Sequence, residues 1–375
     1  MDNKKALSQN RLPNSRIEVA DALRGIAVIG IILFHSLENF NLFYPDVRLT
    51  LPCDNAVYSF CESLLAGKMY GIFALLFGLT FYIMRDNQAR KGRDFSARFA
   101  WRMLLLFLIG LVNIVFYDGD ILTTYAIFGL LMIPCGYLSD RWLWVITCLL
   151  LIQPYELWQL LSGQEMNSDW MWANYGIIGE AHQQTSFWEN AIVDLKYALP
   201  TNLGYFAWTG RLTQIPGLFL LGLLLGRYRL FYHEGRHLRI WQIILIVNLP
   251  LAIMGSHVDF GQMSHWLSPI VNLTILLSEV SAVVLLWYAS KRFRHLLKHV
   301  CFFGQMSLSN YLLQSVFGSL VFYGWGLALY RELGHTLSLL VGISIVITQI
   351  LILRLWARNH QRGPAESLWR WATWI

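Results

Sequence analysis

The stretch "ADALRGIAVIGIILFHSLENF", residues 20–40, decides the fold. It has the length and apolar character of one membrane-crossing helix, yet it carries Asp21, Arg24, His35 and Glu38. Eleven steps of 100° separate Arg24 from His35, about three turns plus roughly 20°, so both side chains share one face, about 16 Å apart along the axis. Asp21, one turn before Arg24, can pair with it on that face. An ionisable side chain inside a span is read first as part of a functional site. For His35 that reading is a general base toward a hydroxyl or amine, because its ordinary pKa lies near working pH. Arg24 is either an Asp-paired anchor or a bidentate contact to a donor phosphate.

The rest of the chain supports a bilayer as solvent. Of 375 residues, 56% are hydrophobic and 14% charged, with a mean hydropathy of +0.45, a surplus of apolar surface that a water-soluble protein could not cover. Apolar stretches lie near 20–42, 62–84, 99–117, 121–138, 142–161, 212–230, 239–256, 267–290, 300–323 and 336–357. They predict an all-α polytopic integral membrane protein of about ten transmembrane helices, forming a single domain over residues 1–375.

The net charge of +6 does not mark a nucleic-acid binder, because the basic residues sit between the apolar stretches. Of 29 Lys and Arg, 21 fall in segments on one side of the predicted membrane, and only Arg48, Lys196, Arg211 and Arg331 fall in segments on the other. The positive-inside bias then puts both termini in the cytoplasm, with a tail at 1–19 and an amphipathic tail at 358–375. No small-residue cleavage site closely follows the first span, which is expected to stay uncleaved. The loops "RDNQARKGRDFSAR" and "KRFRHLLKH" set this topology and could also attract anionic lipid. Five cysteines show no metal-binding spacing; only Cys53 and Cys61 share a predicted outer loop, where a disulfide could form.

The longest connection, 162–211, is expected on the outer face and of functional length. Within it "FWENAIVDLKYAL" aligns Trp188, Ala191, Ile192, Leu195 and Leu199, as in a helix lying on the outer leaflet. Trp170, Trp172 and Trp208 either anchor at that interface or stack on a sugar. In "FYDGDIL", Asp118 and Asp120 could orient an acceptor hydroxyl or carry protons; Asp120 could equally cap the next helix. Lys68, at the start of the second stretch, needs a partner such as Glu38 or Glu62, or a ligand carboxylate, phosphate or thioester carbonyl. "SLSNYLLQS" sets Ser307, Asn310, Tyr311 and Gln314 within two turns, either as helix-to-helix glue or as the polar wall of a substrate cavity. There is no G-x-S-x-G, P-loop, HExxH or dinucleotide fingerprint.

The Arg, ten residues, His spacing after "LRG" resembles the signature of the membrane acyltransferase superfamily, which includes the lysosomal heparan glucosaminide N-acetyltransferase. Over more of the chain, "DALRGIAVIGIIL", "GKMYGIFALLFGLTF", "FYDGDILTTYAIFGLL", "GQMSLSNYLLQS" and "RGPAESLWR" are similar to the YeiB-like family of uncharacterised bacterial inner-membrane proteins, a distant branch of those enzymes. One departure stands: many members of that family carry Asn where this chain has His35, so hydrogen bonding is the alternative to base chemistry there. The resemblance implies an acyltransferase that takes an acyl group, expected to be acetyl, from cytoplasmic acyl-CoA to a glycan or lipid-linked acceptor on the outer face. His35, Asp118 and Asp120 would be catalytic, Arg24 and Lys68 would hold the donor, and Asn310, Tyr311 and Gln314 would line the acceptor path. No permanently bound cofactor or metal is expected. The partners expected are membrane lipids, with a homodimer left open. The rival reading is a transporter or flippase that uses the same buried charges without covalent chemistry.

Overall fold

The computed structural model describes residues 16–42, 47–164, 166–232 and 237–374; all but the last few residues of the expected 1–19 tail lie outside them. Among the described residues the chain forms α-helices, apart from two single 3₁₀ turns and one isolated bridge between Leu49 and Leu333. In order these are α1 (Glu18–Leu37), α2 (Asp54–Leu65), α3 (Met69–Ala89), α4 (Ser96–Ile114), α5 (Leu122–Cys135), α6 (Asp140–Leu151), α7 (Pro154–Ser162) and α8 (Asp169–His182). They continue as α9 (Phe187–Trp208), α10 (Arg211–Arg227), α11 (Leu238–His257), α12 (Ser264–Ala289), α13 (Lys291–Gln305), α14 (Ser307–Phe322), α15 (His335–Ala357) and α16 (Pro364–Trp374).

All ten apolar stretches overlap helix, but among the described residues six helical segments are long and apolar enough to cross a membrane, or seven if the bent pair α6 and α7 counts as one. Three expected spans are broken, the stretch 62–84 near its start, at the α2–α3 junction. The stretch 142–161 bends by 46° between α6 and α7, where Gln153 takes a left-handed conformation (φ 62°) before Pro154; a proline disfavours helical geometry in the residue before it. The stretch 300–323 breaks at Met306, between α13 and α14. α10 is apolar on all sides and buried along most of its length, as expected of a helix enclosed by others rather than facing lipid.

α1 is the hub, packed against α3, α13, α14 and α15. Glycines set how closely it approaches α13. A Cβ on Gly25 would collide with the carbonyl oxygen of Val300, and one on Gly304 with that of Asp21. The same reciprocal contact joins α3 to α10, with Gly78 against the Phe219 carbonyl and Gly222 against that of Leu75. Small residues that let backbones touch are how helices gain packing energy in lipid, where the hydrophobic effect gives no drive for them to associate. Outward, α11 exposes Ile243, Ile246 and Val247, and α15 exposes Leu340, Ile347 and Leu351, the apolar surface of a membrane protein.

The break at Met306 is held from a distance. The Glu366 carboxylate, at the start of α16, accepts the backbone N–H groups of Leu308 (2.7 Å) and Ser309 (3.2 Å) and the Ser309 hydroxyl. It thereby satisfies donors that the first turn of α14 leaves without partners, and places a negative charge at the positive end of that helix. The amphipathic tail at 358–375 therefore also caps α14. The cysteines are all free thiols: Cys61 lies two turns into α2 from Cys53, about 12 Å along the axis, beyond the roughly 7 Å that a disulfide allows between Cα atoms.

Two outcomes follow. Glu366→Ala should lower stability by about 0.5–2 kcal/mol, as loss of a helix cap does, read as a lower midpoint of thermal unfolding in detergent. Gly222→Val should cost about 1–3 kcal/mol or more through overpacking, whereas Gly179→Ala, whose added methyl meets nothing within 4 Å, should leave the midpoint unchanged or raise it.

Candidate active site

The C-terminal half of α1 forms one wall of a cavity of about 1170 Å³. Its other walls come from the α2–α3 junction, the 117–121 turn, α8, α9, the start of α10, α12 and α14. The wall is polar to a degree unusual among membrane helices: His35, Glu38, Lys68, Asp118, His182 and Arg211 all reach it.

His35 is placed there by α1, one turn before the chain leaves the helix. Its ring lies 4.9 Å from that of Tyr117 and 5.7 Å from that of Phe40, and its Nδ1 has no hydrogen-bond partner. Tyr117 and Phe40 belong to a buried aromatic cluster that also holds Phe322, Tyr323 and Tyr330, so the imidazole lines the cavity with rigid rings behind it, and its unpartnered Nδ1 is buried.

Arg24 lies elsewhere. It donates to Asp21 (2.9 Å) and, across to α3, to Thr80 (2.7 Å), and Asp21 also accepts from Arg16. Arg24 and His35 share a helix face, but the cavity reaches up α1 only as far as Ile31 and does not include Arg24. The polar line along α1 is thus a cavity at one end and, at the other, an ion pair within α1 that is hydrogen-bonded across to α3.

Lys68 sits at the α2–α3 junction after Gly67, whose φ of +75° lets the chain turn. Its ammonium donates to the Glu62 carbonyl (3.3 Å) and has Glu62 and Glu279 as charged neighbours. The two carboxylates of the tight turn part company. Asp118 lines the cavity, accepts from Asn41 (3.3 Å) and offers its backbone carbonyl to Asn202 (2.5 Å). Burial pushes its pKa up to about 6, against the pull of His182. Asp120 is buried away from the lining, where it accepts from Asn113 (2.9 Å) and from the Thr123 N–H (2.8 Å) at the start of α5, a capping arrangement. Of the polar residues of α14, Tyr311 reaches the cavity and its hydroxyl accepts the Ile121 N–H (3.1 Å). Asn310 donates to the Phe303 carbonyl (3.0 Å), and Gln314 is buried with neither amide atom partnered; both lie off the lining.

Three groups on or beside this site escaped the sequence reading. Arg211, counted there as an outer-face charge, begins α10 and lies over the rings of Tyr70 (4.8 Å) and Tyr205 (5.0 Å) inside the cavity. Glu279, in the middle of α12, has one buried carboxylate oxygen without a partner. His182 ends α8 and its Nε2 meets both oxygens of Asp194 on α9, at 2.9 and 3.1 Å, with each side chain about 1% exposed. A signal for Asp194 was available. Trp188, Ile192 and Leu195 share the exposed stripe of α9, which turns Asp194 to the opposite face. That face is buried and polar, with Asn190, Asp194 and Thr201 on it, so α9 shows apolar residues outward and polar ones inward. At the cavity rim Trp172 meets Trp208 edge to face at 5.3 Å.

Residues 16–260 match the family model described as heparan-alpha-glucosaminide N-acetyltransferase, catalytic, and residues 225–375 match the family described as protein of unknown function, DUF418. Among curated proteins, the uncharacterised YxaH of Bacillus subtilis is 27% identical, covering 98% of this chain and 96% of its own. The uncharacterised YeiB of Escherichia coli is 25% identical over 94% of this chain and 95% of its own. No solved structure matches the chain. The first of these family models covers well over half of the sequence, so the chain belongs to the heparan-alpha-glucosaminide N-acetyltransferase catalytic family, with YeiB-like proteins among its relatives.

Proposed function

We propose that the protein is an acyltransferase of the bacterial inner membrane, moving an acyl group, acetyl by preference, from cytoplasmic acyl-CoA to a glycan or lipid-linked acceptor on the outer face. Both termini are cytoplasmic in this reading, and the helices of all ten apolar stretches contribute to the membrane domain. The observation that carries it is His35: an imidazole on a membrane helix, at the wall of a polar cavity, with no hydrogen bond to its buried Nδ1. Family membership supplies the class of reaction.

The cavity exceeds the roughly 300–1,000 Å³ of ordinary small-molecule sites, room enough for a sugar and part of its carrier. His35 relays the acyl group. A ring nitrogen bonds the acyl carbon, the carbon–sulfur bond breaks, and the thiolate leaves with the proton that the ring gives up. Lys68 and Arg211 supply positive charge toward the thioester carbonyl as it becomes an oxyanion. Asp118 and Tyr311 hold the acceptor near the 117–121 turn. Arg24, Asp120, Asn310 and Gln314 serve the packing and capping that keep these groups in place.

Thiol release from acetyl-CoA, measured on purified protein in lipid nanodiscs with glucosamine as acceptor, tests this. His35→Ala should lower turnover by about 10²–10⁴-fold while the unfolding midpoint stays near that of the parent. Undiminished turnover in His35→Ala would remove the histidine from the reaction. Substrate flux through sealed vesicles without CoA would point to a transporter instead.

A further inference from the structure

His182 and Asp194 are not needed to explain the fold. A buried ion pair is weak evidence for stability, because apolar residues of the same volume often serve as well or better. Here both partners are polar, both are about 1% exposed, and one of them lies on the cavity wall. They come from separate helices, α8 and α9, and each is held in place. The His182 carbonyl accepts the N–H of Gly324 (2.8 Å), and its ring stacks on that of Tyr323 at 4.0 Å. The Tyr323 hydroxyl in turn donates to the Phe40 carbonyl (3.3 Å). Both imidazoles on the cavity wall, His35 and His182, therefore rest on the same aromatic cluster.

With Nε2 donating to Asp194, the proton of the neutral ring is fixed at Nε2 and the lone pair is left on Nδ1. A carboxylate that fixes the tautomer and orientation of an imidazole in this way is the arrangement that makes a general base.

We propose that His182 is the base that activates the acceptor, with Asp194 as its positioning residue. This rests on the transferase reading and divides the work between the two histidines. The acceptor's hydroxyl or amine gives its proton to Nδ1 of His182 as its oxygen or nitrogen bonds the acyl carbon. The bond from that carbon to the His35 nitrogen breaks, and the proton held by His182 passes to the departing His35 ring, restoring both groups. The acceptor class is a glycan or glycolipid presented from the side of the membrane that carries α8 and α9. The charged and titratable groups facing His182 are Asp194 from α9, Asp118 from the 117–121 turn and the stacked Tyr323 that follows α14. Burial disfavours the charged ring, but Asp194, with Asp118 adding to it, outweighs that and raises the pKa above its ordinary value. A base must be unprotonated, so turnover should fall as pH drops through that raised value.

The test uses the full chain in nanodiscs, with acetyl-CoA as donor, water and glucosamine as acceptors, and rapid-mixing detection of free thiol. Wild type should show a burst of thiol stoichiometric with protein, followed by steady turnover. His182→Asn should keep the burst and lose about 100-fold or more of the steady rate. Asp194→Asn removes the charge that raises the His182 pKa, so its steady rate should fall less and its acid limb should move to lower pH, a shift that a merely structural clamp would not produce. Should His182→Asn fail to fold, the Asp194→Asn pH profile decides alone. A wild-type steady rate in His182→Asn, loss of burst and turnover together in a folded His182→Asn, or an unmoved acid limb in Asp194→Asn overturns the assignment. Absence of thiol release from wild type is a different failure, since it removes the transferase reading and this assignment falls with it.

Discussion

An ionisable side chain on a membrane-crossing helix is tolerated only where protein or enclosed water, not lipid, surrounds it. In this fold α1 carries that demand into the centre of the bundle, with Arg24 near one end and His35 near the other. Other helices enclose both ends. Toward its start, α1 comes close enough to α13 for Gly25 and Gly304 to touch opposing carbonyls, and Arg24 is absorbed by Asp21 and Thr80. Toward its end the neighbours draw back, and the space between them is the cavity that His35 lines.

The contrast between the two ends explains why packing and chemistry coexist on one helix. Close approach needs small residues, and α1 has Gly25 and Gly30 where α13 and Met69 press against it. A cavity needs rigid walls, and the aromatic cluster of Phe40, Tyr117, Phe322, Tyr323 and Tyr330 supplies them at its base. The long connection between α7 and α10 completes the site. Because α9 turns its apolar stripe outward, it closes the cavity with Asn202 and holds His182 through Asp194 behind the wall, while its exposed face suits a lipid surface.

Much of this was legible in the sequence. Each of the ten apolar stretches read from the sequence overlaps helix, although six helical segments among the described residues, seven with the bent pair, are long and apolar enough to cross a membrane, and the eleven steps from Arg24 to His35 lie on one unbroken helix, α1. Periodicity says nothing about how neighbouring helices diverge, however, so it could not show that only His35 would meet a cavity. Nor could it place the breaks at Gln153 and Met306. Pro154 was a visible cue for the first, but the second depends on Glu366, nearly 60 residues further on. His182 and Asp194 are twelve residues apart across a turn, a separation with no period to detect. Asp118 and Asp120 show the limit most plainly: two carboxylates with one residue between them, one facing a cavity and the other capping a helix.

The account stands or falls on whether His35 can be reached by solvent through the cavity. Modification of the folded, detergent-solubilised protein by diethyl pyrocarbonate, read residue by residue by mass spectrometry, measures this directly. His257, exposed at the end of α11, reports that the reagent is active. His35 should be modified alongside His257 and be protected when a bulky side chain takes up part of the cavity, as in Asn272→Trp on its wall. A His35 that stays unmodified while His257 reacts fully would contradict it, because the imidazole would then be sealed within the bundle.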